Sequence, residues 1–252
     1  MLSARVWGSG NRCALLLHGS MADSSTWWRL GPSLAERGYR VVALDLPGHG
    51  ASPANPAASV ESHAAAVLSS APNKVDLAVG HSLGGVVLAA VVSQLRPGHA
   101  VYLDAPLDCR STAVDRVEVR ARFTAMKDGR TLERLVRDRP SWHQRDREVE
   151  VASARRWDVP TAVSLAADLA GRDLTPSAGA HSVMLRAEPS DFVPADHASR
   201  LEAHGFDVVS IPGGAHSLHY SHIDEVMAVL AGLGDVSGTD EPETDAPALD
   251  AR

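Results

Sequence analysis

Gly80-His81-Ser82-Leu83-Gly84 is the stretch that decides the fold, because it sets a serine at a sharp turn between two glycines. Apolar residues dominate the preceding run, 75–79, and the following run, 86–92. This order of strand, tight turn and helix holds a serine in a strained backbone conformation, and the glycines let the helix pack closely on the strand. We therefore predict that Ser82 is a nucleophile at a helix N-terminus; a glycine-rich turn without chemistry is the alternative.

Backbone N–H groups near the serine are expected to bind a developing oxyanion. The N–H of Leu83, directly after the nucleophile, is one predicted donor. The second predicted donor is the N–H of Ser20 or Met21, which follow an apolar strand in the sequence. We expect His18, at the end of that strand, to hold the geometry of this loop.

A serine hydroxyl needs a base within hydrogen-bonding reach. Among twelve histidines, His216 is the favoured candidate, because it lies in a glycine-rich loop after the last predicted strand. That position brings it to the same edge of the sheet as the serine. His219 and His222 are close alternatives, but they begin the last helix, where a capping or solvated role is expected. His49 is expected to be structural.

Short apolar runs alternate with segments of helical length along most of the chain. The runs are continuous, as expected of strands covered on both faces. This pattern predicts an α/β fold with a mostly parallel, doubly wound sheet and right-handed crossovers. The predicted strands are 5–7, 13–17, 41–44, 75–79, 101–103, 183–185 and 208–211, and the predicted helices are 27–37, 60–70, 83–95, 195–204 and 223–233.

Residues 108–178 break this alternation, since they contain helical patterns rich in Arg and Asp but no good strand. We interpret them as a helical cap over the C-terminal edge of the sheet; surface helices unrelated to any site are the alternative. The predicted core then comprises residues 1–107 and 179–234. Residues 235–252 hold six acids against one base, together with two prolines, and are predicted to be a disordered acidic tail.

The composition argues against several classes of function. The formal net charge is −7, and the tail carries most of it, so no basic field for nucleic acid is expected. The N-terminal residues lack a signal-peptide pattern, no run has the roughly 18 apolar residues of a membrane span, and Cys13 and Cys109 do not suggest a pair. We therefore expect a cytoplasmic protein without membrane partners. No zinc-type ligand cluster or nucleotide fingerprint predicts a metal or a cofactor.

Taken together, the motifs resemble the α/β-hydrolase fold superfamily. The resemblance covers residues 12–233 outside the cap, and the matching segments occur in the order of that superfamily: Leu17-His18-Gly19, Asp45-Leu46-Pro47-Gly48-His49-Gly50, Gly80-His81-Ser82-Leu83-Gly84-Gly85 and Gly213-Gly214-Ala215-His216. It implies a sheet of that type, a helical cap inserted after the sixth strand, and a triad of serine, acid and histidine. It does not specify a substrate, because this fold hosts many reactions.

The acid of the triad is the point at which the sequence departs from the family pattern. Family members usually carry it a few residues after the strand that ends here at Leu185. The usual position holds Ser190, and Asp191, the first candidate, falls one residue late. Some relatives place the acid after the preceding strand, and Asp104 fits that variant. Two further alternatives are Glu188 and Asp108.

These residues predict a serine hydrolase that cleaves a carboxylic ester or related acyl bond of a small molecule through an acyl-enzyme. The alternatives are a cofactor-free lyase, carbon–carbon hydrolase or perhydrolase on the same fold, and a ligand receptor without catalysis. An arginine of the cap is a candidate for binding a substrate carboxylate. The oligomeric state is left open. The candidates for an apolar pocket, or equally for core packing, are Trp27, Trp28, Phe123, Trp142 and Trp157.

Overall fold

Seven strands form one sheet with the order β1-β3-β2-β4-β5-β6-β7 in the computed structural model, which describes residues 1–176 and 181–234. Only β1 runs antiparallel to its neighbour, and the other five neighbouring pairs are parallel. The strands are β1 (Ala4–Trp7), β2 (Arg12–Leu17), β3 (Tyr39–Leu44), β4 (Leu77–His81), β5 (His99–Leu103), β6 (His181–Glu188) and β7 (Asp207–Pro212).

Helices follow most of the strands, as the alternation of the sequence predicts. They are α1 (Leu30–Glu36), α2 (Val60–Leu68), α3 (Leu83–Leu95), α4 (Arg116–Asp128), α5 (Leu132–Asp138), α6 (Gln144–Arg155), α7 (Val159–Leu169), α8 (Ala195–Ala203), α9 (Leu218–Ser221) and α10 (Ile223–Gly234). The mostly parallel α/β architecture is therefore confirmed. The strand predicted at 75–79 is displaced by two residues, to Leu77–His81. Just before it, the carboxylate of Asp76 accepts a hydrogen bond of 2.7 Å from the N–H of Cys13.

Two apolar clusters cover the two faces of the sheet. Side chains alternate between them along each strand, so that Leu15 and Leu17 belong to one cluster and Leu16 to the other. Helices α2, α3 and α8 contribute to the first cluster, and α1 and α10 contribute to the second. Burial on both faces explains why the strands read as continuous apolar runs.

Helices α4–α7 lie between β5 and β6 in the chain. The ends of this segment meet, since Asp108 and Asp173 form an antiparallel bridge and the N–H of Leu174 donates to the C=O of Leu107 over 2.8 Å. The family resemblance implied a cap after the sixth strand, but this segment follows β5, which is the fifth strand of the chain.

The division into a core and a cap stays a prediction. Its boundary at residues 178–179 and the acidic tail at 235–252 lie outside the described residues. Within the described ranges, no helix combines the length and the apolar character that crossing a membrane requires.

Candidate active site

Ser82 forms the whole turn between β4 and α3. Its backbone has φ 49° and ψ −115°, and residues with a Cβ rarely adopt a positive φ. The flanking glycines make this turn possible. A Cβ on Gly80 would lie 2.5 Å from the C=O oxygen of Gly84, and one on Gly84 would overlap the C=O oxygen of Leu17. The local sequence thus brings strand and helix into backbone contact with the serine at their junction.

Three backbone hydrogen bonds anchor the serine. Its N–H donates to the C=O of Leu103 over 3.0 Å, and its C=O accepts from Gly85 and Val86 over 2.9 and 3.1 Å. Leu83 is the first residue of α3, so its N–H has no acceptor within the helix and lies at the positive end of the helix dipole. This is the environment in which an oxyanion is stabilised.

The loop after β2 supplies the other candidate donors. Ser20 and Met21 line the same cavity as Ser82, and Met21 has φ 61°. No acceptor for the N–H of Ser20 or Met21 is found among the residues that the structure describes. Both groups therefore have capacity to bind a ligand oxygen.

His18 holds this loop in place through both ring nitrogens. Nδ1 lies 2.8 Å from the C=O of Gly19, and Nε2 lies 2.9 Å from the N–H of Leu46. Since Nε2 must accept from that N–H, Nδ1 carries the proton and donates to Gly19. Burial lowers the pKa of His18, which favours this neutral ring.

His216 and Asp104 are in direct contact. Nδ1 of His216 lies 2.8 Å from Oδ2 of Asp104, so Nδ1–H donates to the carboxylate. His216 lies in the loop between β7 and α9, and its side chain is 30% exposed, whereas that of Asp104 is 1% exposed. Asp104 directly follows β5 and has φ 46°. The turn after β5 therefore directs a buried carboxylate to the histidine loop.

The second oxygen of Asp104 is also fully engaged. Oδ1 accepts from the N–H of Ala187 over 3.1 Å and from the hydroxyl of Ser190 over 2.7 Å. Ser190 Oγ in turn accepts from the N–H groups of Phe192 and Val193, at 3.1 and 3.0 Å. These bonds compensate for the burial of the carboxylate and fix its orientation.

Asp191, the first acid candidate from the sequence, is not the carboxylate that contacts His216. Its side chain is exposed, and no bond between it and His216 occurs in the described part of the chain. The residues on either side explain this. Ser190 turns toward Asp104, and the ring of Phe192 stacks on His216 with a centroid distance of 3.7 Å.

The two further acid candidates have other partners. Glu188 lies 3.4 Å from Arg186, and Asp108 lies 2.7 Å from Arg110. Hydrogen bonding to that arginine holds the pKa of Asp108 below its usual range. Both carboxylates are therefore paired with arginines and not with His216.

The competing histidines differ from His216 in their contacts. His219 is buried, and burial lowers its pKa to about 3, so it stays neutral. Nδ1 of His222 lies 2.9 Å from the hydroxyl of Ser221. His49 is buried and packs against the ring of His18, with 4.9 Å between ring centroids.

Sequence reasoning missed three residues that position the others. His81 Nε2 donates to the C=O of His216 over 3.0 Å and so fixes the loop that carries this histidine. Ser190 orients Asp104, and Phe192 covers one face of the His216 ring. Both His81, in the stretch 80–84, and Ser190, at the usual position of the acid, stand out in the sequence. Their roles could not be predicted, because the residues that they contact are distant in sequence.

Ser82 and His216 line one cavity of about 570 Å³. No hydrogen bond between the Ser82 hydroxyl and the His216 ring occurs among the described residues. Bonds of this kind often tighten only when substrate is bound. A cavity of this volume is the usual size for a small-molecule site.

Helices α4 and α6 and the loops on either side of α5 contribute to the cavity wall, with Phe123, Met126 and Trp142 as apolar members. Trp27 and Trp157 are fully buried in the core instead. The indole N–H of Trp28 bonds to Asp146 over 3.0 Å and lies outside the cavity wall. No group of three or more His, Cys, Asp or Glu that could hold a metal ion occurs within residues 1–176 and 181–234.

The amino-acid sequence matches a known family. The model of the Alpha/beta hydrolase family matches residues 14–229. This chain therefore belongs to the alpha/beta hydrolase family.

Curated relatives match over shorter segments. The pimeloyl-[acyl-carrier protein] methyl ester esterase of Sodalis glossinidius is 39% identical over 94 residues, which are 37% of this chain and 35% of that protein. The putative protein-lysine deacylase ABHD14B of Homo sapiens is 36% identical over 102 residues, 40% of each chain. The chain thus spans two fifths or less of the length of these relatives.

Solved structures match over almost the whole chain. The esterase from Exiguobacterium antarcticum has a TM-score of 0.75 and 16% identity, over 92% of this chain and 94% of that chain. An E-2-(acetamidomethylene)succinate hydrolase has a TM-score of 0.74 and 18% identity, over 93% and 95% of the two chains. At these identities the likeness shows a shared fold.

Proposed function

We propose that this protein hydrolyses carboxylic esters or related acyl bonds of small molecules, with Ser82, His216 and Asp104 as its triad. One observation carries the proposal. The buried Asp104 carboxylate holds Nδ1 of His216 at 2.8 Å, and this histidine shares a cavity with the strained Ser82.

The first half of the reaction forms an acyl-enzyme. Nε2 of His216 takes the hydroxyl proton as Oγ of Ser82 attacks the carbonyl carbon. Asp104 stabilises the imidazolium that results. The N–H of Leu83 and that of Ser20 or Met21 bind the oxyanion. The tetrahedral intermediate collapses when His216 gives its proton to the leaving alcohol.

The second half releases the acid. His216 takes a proton from a water molecule, which attacks the acyl carbon, and the proton returns to Ser82 Oγ as the acyl–serine bond breaks. One ester and one water thus give one alcohol and one acid, with the enzyme restored.

The names of the similar proteins support acyl chemistry. A methyl ester esterase is among the curated relatives and an esterase among the structural neighbours. A serine at a nucleophile elbow with a histidine and an acid in chain order is the arrangement that such chemistry requires. The oligomeric state stays open, and the cytoplasmic location and the absence of nucleic-acid and membrane partners stay predictions.

Product analysis tests the proposal. Incubation with 4-nitrophenyl butyrate is expected to release nitrophenol and butyrate in equal amounts, and Ser82→Ala is expected to lose this turnover. A folded wild-type protein that leaves this and other short-chain esters intact would overturn the proposal and favour a ligand receptor. Products other than the acid and the alcohol would favour a lyase or perhydrolase.

A further inference from the structure

A second cavity of about 480 Å³ lies beside α4 and α5. It adjoins the cavity that holds Ser82, because the two share wall residues: Arg122, Met126, Arg130 and Arg139. Arg130 connects this region to the loop after β2, since its Nη2 lies 3.8 Å from Sδ of Met21. We refer to these two adjoining cavities together as the passage.

Arginine dominates the charged residues of this passage. Besides the three shared arginines, Arg134 lines the second cavity. Among the described residues, two carboxylates line the same walls as these four guanidinium groups, Glu150 in the first cavity and Asp138 in the second. The chain as a whole has a formal charge of −7, so the excess of arginine in this region is opposite in sign to the net charge of the chain. A cleft lined by one sign of charge attracts ligands of the opposite sign.

The two carboxylates are already engaged by Arg130, Arg134 and Arg137. Asp138 lies 3.3 Å from Arg134 and 2.9 Å from Arg137. Glu150 is buried and lies 3.8 Å from Arg130, and burial raises its pKa. These contacts account for Arg130 and Arg134, but they leave the other two arginines of the passage without an anion.

Arg122 and Arg139 have no ion pair with a carboxylate in the part of the chain that the structure describes. Their guanidinium groups lie against aromatic rings of the cavity wall instead. The carbon of the Arg122 guanidinium is 5.4 Å from the ring centroid of Phe123, and that of Arg139 is 5.8 Å from that of Trp142. Contacts with aromatic faces orient a guanidinium group and leave the N–H donors at its edge. Nη1 of Arg139 donates to the C=O of Asp138 over 3.0 Å, and its other N–H donors have no acceptor among the described residues.

The segment that carries Arg139 is held rigidly. Arg147 donates to the C=O groups of Arg139, Pro140 and Trp142, at 3.2, 2.8 and 2.5 Å. Trp142 is buried and packs on Tyr220 with 4.9 Å between ring centroids. A guanidinium on a fixed backbone loses less freedom when it binds a ligand.

We propose that Arg122 and Arg139 form an anion-binding subsite for the substrate. The preferred substrates are then acyl esters that carry a carboxylate or phosphate group away from the scissile bond. Guanidinium groups match both anions, because each can donate two parallel hydrogen bonds. The subsite rests on the proposed ester hydrolysis and defines its substrate class. Both arginines are exposed to solvent, so the subsite opens to the surface and its contribution falls with salt.

The experiment compares a neutral ester with an anionic one that shares its leaving group. The probes are 4-nitrophenyl butyrate and the mono-4-nitrophenyl ester of glutaric acid. At low salt the wild-type protein is expected to have the higher kcat/KM for the anionic ester. The double variant Arg122→Gln with Arg139→Gln is expected to lower the anionic-to-neutral ratio by about fivefold to tenfold, and each single variant by about twofold to threefold. Added salt is expected to lower the wild-type ratio.

Arg137→Gln is the matched control. It removes the same charge from α5, but its side chain is 70% exposed and lies outside both cavity walls. Its ratio is expected to equal that of the wild type. Competitive inhibition by glutarate and by butyl phosphate separates the two anions, since the tighter inhibitor identifies the group that the subsite prefers.

The outcomes distinguish a failure of the proposed subsite from a failure of the proposed ester hydrolysis. Equal kcat/KM for the two esters, or a double variant that keeps the wild-type ratio, would overturn the subsite and leave the ester hydrolase intact. If neither ester is turned over, the proposed hydrolysis fails. Calorimetric titration with glutarate then decides the subsite alone: binding to the folded wild type that the folded double variant lacks supports it, and no difference between them overturns it.

Discussion

The hydroxyl of Ser190 donates a hydrogen bond of 2.7 Å to Oδ1 of Asp104, between the loops that follow β6 and β5. Ser190 holds the position in which family members usually carry the triad acid, and here it supports an acid on the neighbouring strand. The carboxylate therefore reaches His216 from β5, and the loop after β6 supplies a hydrogen-bond donor in its place.

Exchange of each acid for its amide distinguishes Asp104 from Asp191. Asp104→Asn removes the charge that stabilises the imidazolium and favours the wrong tautomer of His216, so kcat for ester hydrolysis is expected to fall by about 10³-fold or more. Asp191→Asn, at an exposed side chain, is expected to stay within about twofold of the wild type. Steady-state kinetics on 4-nitrophenyl butyrate measures both. A larger loss in Asp191→Asn than in Asp104→Asn would contradict the assignment.

Ser190 is expected to act on catalysis only by positioning Asp104. Ser190→Ala removes a hydrogen bond to a charged group, which is worth about 1.5–3 kcal/mol, so kcat is expected to fall about tenfold while KM changes little. Ser190→Thr keeps the hydroxyl and is expected to restore most of kcat. If Ser190 served the fold alone, Ser190→Ala would change the unfolding midpoint without a selective loss of kcat. Ser190→Thr would then not restore kcat.

The buried His219 makes stability depend on pH. Burial lowers its pKa in the folded protein to about 3, while the unfolded chain titrates near about 6.5. The unfolded state therefore binds more protons between these values, and this contribution to stability, complete above pH of about 6.5, is lost as the pH falls toward 3. Between pH 7 and 5 the loss amounts to about 2 kcal/mol.

Urea unfolding of His219→Gln measures this contribution. Between pH 7 and pH 5, the free energy of unfolding of the variant is expected to fall by about 2 kcal/mol less than that of the wild type. This difference does not depend on the absolute stability of the variant. His204→Gln, at an exposed histidine, is the control and is expected to follow the wild type. An unchanged pH dependence in His219→Gln would show that His219 is not a neutral buried group.

Phe123 is expected to limit the room available for the acyl chain of a substrate. It lines the cavity above Ser82 and is only partly buried, so Phe123→Ala enlarges the cavity at modest cost to the fold. The ratio of kcat/KM for 4-nitrophenyl decanoate to that for the butyrate is expected to rise several-fold, because each additional buried methylene contributes about 0.8 kcal/mol. Val117→Ala, at a 78% exposed position of the same helix, is expected to leave the ratio unchanged. A ratio that does not rise would place the acyl chain elsewhere.

Local patterns were sufficient to predict the sheet and the elbow. The strain at Ser82 is imposed by residues within the stretch 80–84, and the strands are continuous apolar runs because both faces of the sheet are covered. The position of His216 could also be predicted, since it follows the last strand and the carboxyl ends of parallel strands share one edge. These inferences need only chain order and periodicity.

The carboxylate that contacts His216 could not be predicted in the same way. Asp104 and Asp191 both follow strands at the correct edge, and the choice depends on which loop turns inward. That outcome is set by contacts of Ser190 and Phe192 with residues far away in the chain. The arginines that line the cavity could not be predicted for the same reason, because the packing of the segment 116–155 decides which of them face it.

The most direct test of the central claim is covalent labelling of the serine. The folded protein is incubated with a fluorophosphonate probe, and the modified peptide is identified by mass spectrometry. An activated Ser82 is predicted to take up one probe per chain, and Ser82→Ala is predicted to take up none. A folded wild-type protein that gains no adduct at Ser82, or a Ser82→Ala variant that is labelled equally well, would contradict the assignment of Ser82 as the nucleophile.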